Sequence, residues 1–327
     1  MDIIPRKVQR LGTSSYVITL PHSWIESNNI KPGDTVYIIE SADNLTVTPL
    51  KNREAEKGKP IYELDISKIP IPEITSLAVY CLYVNNLTDA IINLGRPDRK
   101  GIESIKTSAQ SLLGLEVFEM SESRVMIKSV IDDSKIEIKH VIKGLGITVA
   151  EVAKILEEAL KGADIEKSIE LGQKDLLKYQ HLIERYVINT MIHGKGDVRL
   201  HALVLGTGLL GIVGYLILDT ASKAYHLKIR LQQLDETTKM IENILPQVAS
   251  IVAQPSIKRI EELIVETATL TRELENRSIV SNNSEKTMVL TRLVDAMKLI
   301  SIILYVVVCS IMVSDEYLKK SGEELGI

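Results

Sequence analysis

The pattern of apolar and polar positions divides the chain into a strand-rich beginning and a helical remainder. In residues 1–50, short runs of Val, Ile and Leu are mixed with Thr and Tyr, as is typical of β-strands. From Ile136 onward, apolar residues recur at helical spacing instead. The first such series comprises Val149, Val152, Ile155, Leu156 and Leu160. We therefore expect a small β unit followed by long helices.

The β unit is predicted to contain four short strands and one helical turn. The strands are expected at Ile3–Arg10, Tyr16–Leu20, Thr35–Ile39 and Leu45–Val47, with turns at 12–15 and Lys31–Asp34 and a short helix starting at Pro21. Residues 41–44 have turn chemistry and should join the last two strands into a hairpin. Elements this short cannot bury a sufficient core alone, so dimerisation is the simplest way to stabilise them.

A polar stretch with one Gly and one Pro, residues 51–60, reads as a linker. A small α/β segment is expected after it, over residues 61–133. Its predicted elements are strands at Ile61–Ile66, Asp89–Leu94, Leu115–Met120 and Arg124–Val130, helices at Glu73–Asn85 and Asp98–Leu113, and an extended segment at Ile69–Pro72.

Residues 134–327 are predicted to form a helical bundle, because several of its helices would exceed 25 residues. Beyond the first periodic series, helices are expected at 164–193, 197–227, 229–252, 256–279 and 284–320. Breaks are predicted at Gly162, 193–196, Leu245-Pro246, Pro255 and 281–283. The predicted domains are thus 1–50, the linker 51–60, the connector 61–133 and the bundle 134–327, a multidomain α+β chain.

Charge and cysteine content restrict the possible functions. The net charge of −4 gives no global field for nucleic acid or anionic membrane, so any such contact must be a local patch. Cys81 and Cys309 lie far apart in apolar runs and are expected to be buried, reduced thiols. The N-terminus carries no signal-like apolar run, which favours a cytoplasmic location.

The strongest candidate for chemistry is the basic first strand. Arg6 and Arg10 would share one face of a strand and Lys7 the other. Such residues can simply keep an edge strand solvated. Here a Gly-Thr-Ser-Ser turn follows them, and hydroxyls and turn amides are donors for phosphate oxygens. The residues alone leave these two interpretations equally open.

Residues 6–39 resemble the AbrB/MazE/SpoVT swapped-hairpin domain of transcription regulators and antitoxins. The matching features are the basic first strand, the turn at Leu11–Ser14, the strand ending at Pro21, the short helix and the Lys31–Asp34 turn. The resemblance implies a homodimer whose interleaved hairpins form one barrel and contact DNA. The DNA-binding residues it implies are Arg6, Lys7, Arg10, Thr13, Ser14 and Ser15. This chain has no Arg in its second strand, where some relatives carry one.

The order of the segments, together with Leu113–Val117, also resembles archaeal proteins in which such a domain precedes a helical domain similar to PhoU, the phosphate-uptake regulator. This resemblance implies a link to phosphate uptake and a protein partner for the helical half. PhoU-like domains usually carry E-x-x-x-D metal motifs, but Tyr215 and Thr291 precede Asp219 and Asp295 at that spacing. We therefore expect no metal cluster, with Asp219 and Asp295 buried and paired across helices.

Other functions have less support in the sequence. Two apolar stretches, Leu200–Leu218 and Leu299–Ser314, approach the length of a membrane span, yet central bundle helices look the same, so no stable membrane insertion is expected. Gly206, Gly208 and Gly211 match a dinucleotide fingerprint by letter, but no strand precedes them, so they are expected to permit close helix packing, as is Gly214. No catalytic constellation is visible, and neither an enzyme nor a cofactor is expected. A dimeric adaptor that does not bind DNA remains the main alternative.

Overall fold

The computed structural model describes residues 5–12, 15–40, 45–49, 61–69, 74–132, 135–192 and 198–312. The chain separates into two compact units, Met1–Pro60 and Ile61–Ile327. The linker expected at 51–60 and the turn expected at 41–44 lie outside the described residues.

The first unit contains two antiparallel hairpins and a short helix. Strand β1, Gln9–Leu11, pairs with β2, Ser15–Val17. Helix α1 spans His22–Ser27, and β3, Val36–Glu40, pairs with β4, Leu45–Pro49. Within the described residues these strands form two separate two-stranded sheets, so a single chain shows no closed barrel.

The expected turn at Lys31–Asp34 is confirmed. The Asp34 amide donates to the Lys31 carbonyl oxygen over 3.0 Å, and the Lys31 amide donates to Asp34 Oδ2 over 2.8 Å. Gly33 has a φ of +94°, a left-handed conformation that glycine adopts without steric cost. The turn therefore fixes where β3 begins.

The first two strands are shorter than predicted. Residues 5–8 are not in a strand, although Ile3–Arg10 was expected, and β2 ends at Val17, although Leu20 was expected. Each residue of a strand needs a partner residue on the neighbouring strand. The pairing of β1 with β2 ends at Gln9 and Val17. Because Arg6 and Lys7 precede the strand, the predicted division of the basic residues between two strand faces does not apply to them.

In the second unit, residues 61–132 form a four-stranded sheet with two helices. The elements are β5 Tyr62–Asp65, α2 Ile74–Val84, β6 Ala90–Asn93, α3 Arg99–Gln110, β7 Leu115–Met120 and β8 Arg124–Ser129. The sheet order is β5-β6-β8-β7, with β5 and β6 parallel and the other pairs antiparallel. The predicted α/β character of this segment is confirmed.

Within the part of the chain that the structure describes, six helices follow, and neighbours in sequence run antiparallel. They are α4 Ile138–Lys161, α5 Glu166–Ile192, α6 Val198–His226, α7 Asp235–Ala253, α8 Ile257–Ile279 and α9 Ser284–Met312. Contacts near both ends of two neighbouring helices show whether the two helices run parallel or antiparallel. On α5 and α6, for example, Gly172 lies near Leu218 while Gln180 lies against Gly211. The core between these helices consists mainly of Ile, Leu and Val.

Close helix approach at glycines is confirmed for Gly206, Gly211 and Gly214. A Cβ at Gly206 would lie 3.0 Å from Val252 on α7, and one at Gly214 would lie 2.7 Å from Leu176 on α5. Gly208 differs, because a Cβ there would meet nothing within 4 Å. The prediction of close packing is therefore wrong at Gly208, which faces open space.

The break predicted at Leu245-Pro246 does not occur, since α7 continues through Pro246. A proline inside a helix costs about 3 kcal/mol relative to alanine. Fully buried residues on both sides of it, including Ile244, Leu245 and Val248, hold the helix against its neighbours and offset this cost. The same helix starts later than the predicted residue 229, because a 3-10 turn at Gln232–Leu234 precedes it.

Four polar or thiol side chains that were expected to be buried are exposed. Cys81 and Cys309 are free and exposed. Asp219 and Asp295 are also exposed, although Asp219 does pair across helices with Arg292 of α9 at 3.5 Å. In helices that are apolar on most faces, the sequence does not indicate which face points outward.

Two helical segments, Leu200–His226 and Ser284–Met312, are long and apolar enough to cross a membrane. About half of each apolar window is buried inside the bundle, 50% and 44% respectively. Core helices of soluble bundles have the same composition, so length and hydropathy do not decide between the two settings.

Candidate nucleic-acid interface

Three basic residues of the first unit lie before and within the first strand. Arg6, Lys7 and Arg10 are all exposed, and Arg10 lies in β1. Arg6 Nη1 donates to the neighbouring Pro5 carbonyl oxygen over 3.3 Å. In the described part of the chain, no carboxylate forms an ion pair with Arg6 or Lys7. Their charges are therefore available to an external anion.

The turn between β1 and β2 follows the basic strand directly. Gly12 starts this turn with a φ of +71°. Thr13 and Ser14 lie outside the described residues. Ser15 begins β2, is exposed, and pairs with Leu11. Arg10 pairs with Tyr16, so by strand alternation Arg10 and Ser15 point to opposite faces of the hairpin.

The same hairpin exposes an unusual amount of apolar surface. Leu11 is 64% exposed and Tyr16 is 70% exposed, and every residue of β1 and β2 is exposed. Further exposed apolar side chains nearby are Val8, Val17 and Ile18. A two-stranded hairpin alone is at best marginally stable in water. The hairpin therefore requires a covering surface.

Comparison with known protein families supports the interpretation of this unit. Residues 9–55 match the model of MazE, antidote-toxin recognition, bacterial antitoxin. No curated protein and no solved structure matches the chain. The matched segment includes Arg10, Thr13, Ser14 and Ser15, whereas Arg6 and Lys7 precede it. A domain of the MazE and AbrB type fits a DNA-binding regulator or an antitoxin-type function, and such domains typically bind DNA and dimerise.

The charged residues in the described parts of the helices do not form a metal site. Across the described ranges, no group of three or more His, Cys, Asp or Glu residues could hold a metal ion. Along α8, Arg259 pairs with Glu262, and Arg277 Nη1 lies 3.3 Å from Glu273. Glu275 pairs with Lys298 of α9 at 2.7 Å, and this contact raises the pKa of that lysine. Such exposed pairs are typical of a solvated helix face.

A polar cluster that sequence reasoning missed lies between α2 and α5. The Tyr80 hydroxyl donates to Glu184 Oε2 over 3.1 Å, and His181 Nδ1 lies 3.1 Å from the same oxygen. The Tyr80 and His181 rings are 4.6 Å apart. The His-x-x-Glu spacing on one helix was the only available signal, and it is weak, because Tyr80 comes from a helix about 100 residues earlier.

Proposed function

We propose that this protein is a dimeric DNA-binding transcriptional regulator. The observation that carries the proposal is that Arg6, Lys7 and Arg10 are all exposed, with Arg6 and Lys7 just before the β1–β2 hairpin and Arg10 within it. Cationic side chains supply the salt-dependent part of DNA affinity, and hydroxyls and amides add donors to phosphate oxygens. The match to the MazE model over residues 9–55 supports the same role.

Dimerisation follows from the same hairpin. Its exposed apolar side chains, with Leu11 and Tyr16 among them, would be covered if a second copy interleaved its hairpins into a common barrel. A dimer would also carry two copies of the basic patch, and this doubling offsets the low positive charge of the β unit in a single chain. A paired β-ribbon is narrow enough to enter the major groove of DNA.

The test is a duplex-binding titration of the full chain by fluorescence anisotropy between low and moderate salt. We expect salt-sensitive binding by the wild-type protein. Arg6→Ala and Arg10→Ala should each weaken binding and lower the magnitude of the salt slope by about one per lost phosphate contact, or about two per dimer. Lys31→Ala is the matched control, because Lys31 is an exposed basic residue of the same unit outside the hairpin. Equal binding by wild type, both arginine variants and the control contradicts the proposal.

A narrower role, regulation of phosphate uptake or its signalling, rests on the resemblance of the helical half to PhoU-like domains. It agrees with the six-helix arrangement, but the departures at Tyr215 and Thr291 weaken it. Mapping of genomic binding sites at high and low phosphate tests it. Sites upstream of phosphate-transport genes that change in occupancy support the link, whereas occupancy that does not depend on phosphate contradicts it.

A second candidate is a dimeric adaptor or antitoxin-type protein that does not read DNA. The matched family model, described as antidote-toxin recognition, favours it, because that description names recognition of a protein. Its partner would be a protein, such as a transporter or sensor docked on the helical half. A stable dimer without duplex affinity in the titration above would favour this candidate.

A further inference from the structure

A groove of about 320 Å³ lies between α5 and α6. Ile183, Val187 and Ile188 line it from α5, and Val204 and Gly208 line it from α6. Its walls are thus mainly aliphatic. Pockets that bind small molecules start at about 300 Å³ and are largely apolar with a few polar groups.

The groove is open because position 208 on α6 is a glycine, which has no side chain. Gly208 would place a Cβ into empty space, with nothing within 4 Å. Gly211, on the next turn of α6, is instead filled by the Gln180 side chain. A ligand body can therefore lie on the α6 backbone at Gly208, and the groove stops where Gln180 packs.

The polar end of the groove carries a negative charge. Glu184 lines it, and within the described residues its ion-pair partner is His181. Burial and then the Glu184 carboxylate raise the pKa of Tyr80 to about 12, and the same two causes raise the pKa of Tyr215 to about 12. Both phenols therefore stay neutral, and no described Lys or Arg neutralises the carboxylate.

We propose that this groove binds a small organic cation, with its apolar body between α5 and α6 and its ammonium group against Glu184. The aliphatic walls stabilise the apolar body of the ligand, because binding removes its apolar surface from water. A half-exposed carboxylate adds a charge-assisted hydrogen bond and repels an anionic ligand of the same shape. The site belongs to the second unit, and the proposal does not depend on DNA binding.

Three probes that share one body and differ in the head group test the charge preference. They are 4-phenylbutylamine, 4-phenylbutanol and 4-phenylbutyrate, titrated into the full chain and followed by ligand-observed NMR. We expect the amine to bind roughly tenfold tighter than the carboxylate, with the alcohol between them. Equal affinities for the three probes, or no binding of the amine, overturn the proposal.

Two variants test the location. Gly208→Leu should fill the groove and weaken binding of the amine and the alcohol by more than about tenfold. Glu184→Gln keeps the shape and should remove the preference for the amine while leaving the affinity for the alcohol unchanged. Glu261→Gln, on the exposed face of α8, is the charge control and should match wild type. Wild-type probe binding by both Gly208→Leu and Glu184→Gln overturns the assignment, even if either variant also alters DNA binding.

Discussion

Arg10 lies directly opposite Tyr16 across the β1–β2 ladder, and both residues are exposed. Residues paired in this way project from the same face of a hairpin. Leu11 and Ser15, the next pair, project from the other face. If one face of the hairpin meets DNA, the pairing places the charge and the Ser15 hydroxyl on different sides.

This register leads to a difference between two single substitutions. Arg10→Ala should weaken duplex binding by about 1–3 kcal/mol if the guanidinium reads a base, or less if it contacts phosphate. Ser15→Ala should change the affinity by less than about 0.5 kcal/mol, because its hydroxyl points away from the Arg10 face. Anisotropy titrations of both variants at one salt concentration measure the difference. A larger loss for Ser15→Ala would show that the opposite face meets the DNA.

The exposed apolar side chains of the hairpin indicate which substitution should disrupt the proposed dimer. Leu11→Glu should shift the protein from dimer to monomer, because the proposed dimer would have to bury a carboxylate where a second copy would cover Leu11. Sedimentation velocity over a concentration series measures the shift.

Val265→Glu on α8 is the matched control, since Val265 is 63% exposed and Leu11 is 64% exposed in the single chain. The control should sediment like wild type. A Leu11→Glu variant that remains fully dimeric would locate the dimer interface outside β1.

The start of α3, the end of α4 and the existence of the β1–β2 hairpin could be predicted because local chemistry determines them, whereas the lengths of β1 and β2 could not. The Asp98 side chain accepts from the Gly101 amide over 3.0 Å and caps α3, and Gly162, with a φ of +95°, ends α4. The outward face of the apolar helices could not be predicted, as Cys309 shows. The groove at Gly208 was also missed, because its existence depends on the spacing of α5 and α6 and not on a local motif.

Two glycines in the bundle should respond in opposite ways to the same substitution. Gly146→Ala should destabilise the protein by about 1–3 kcal/mol, since the new methyl group would overlap Ala249 of α7. Gly208→Ala should stabilise it by about 0.5–1 kcal/mol, because alanine favours the helix and the new methyl group meets only open space. Chemical denaturation monitored by circular dichroism measures both. Similar unfolding free energies for the two variants would contradict the close packing of α4 on α7.

Two half-buried tyrosines, Tyr80 and Tyr215, predict how the second unit responds to alkali. Tyr80 and Tyr215 have a pKa of about 12 in the folded chain, raised first by burial and then by the charge of Glu184, whereas an unfolded tyrosine titrates near 10. The neutral phenols therefore contribute stability that is fully present below pH 10. This stability is lost as the pH rises from 10 towards 12, since the unfolded state releases its protons first.

Absorbance at 295 nm should resolve a late titration step to which Tyr80 and Tyr215 contribute alongside Tyr225, whose pKa is raised by its hydrogen bond to Asp164, and the double variant Tyr80→Phe/Tyr215→Phe should reduce the amplitude of this step. Glu184→Gln should move the step to lower pH without abolishing it, because burial, the larger cause, remains. Tyr16→Phe is the control: it removes one exposed tyrosine and should leave the late step unchanged. An unchanged amplitude of the late step in the double variant would assign the step to other tyrosines, and an unchanged midpoint in Glu184→Gln would contradict the effect of the Glu184 charge on the two phenols.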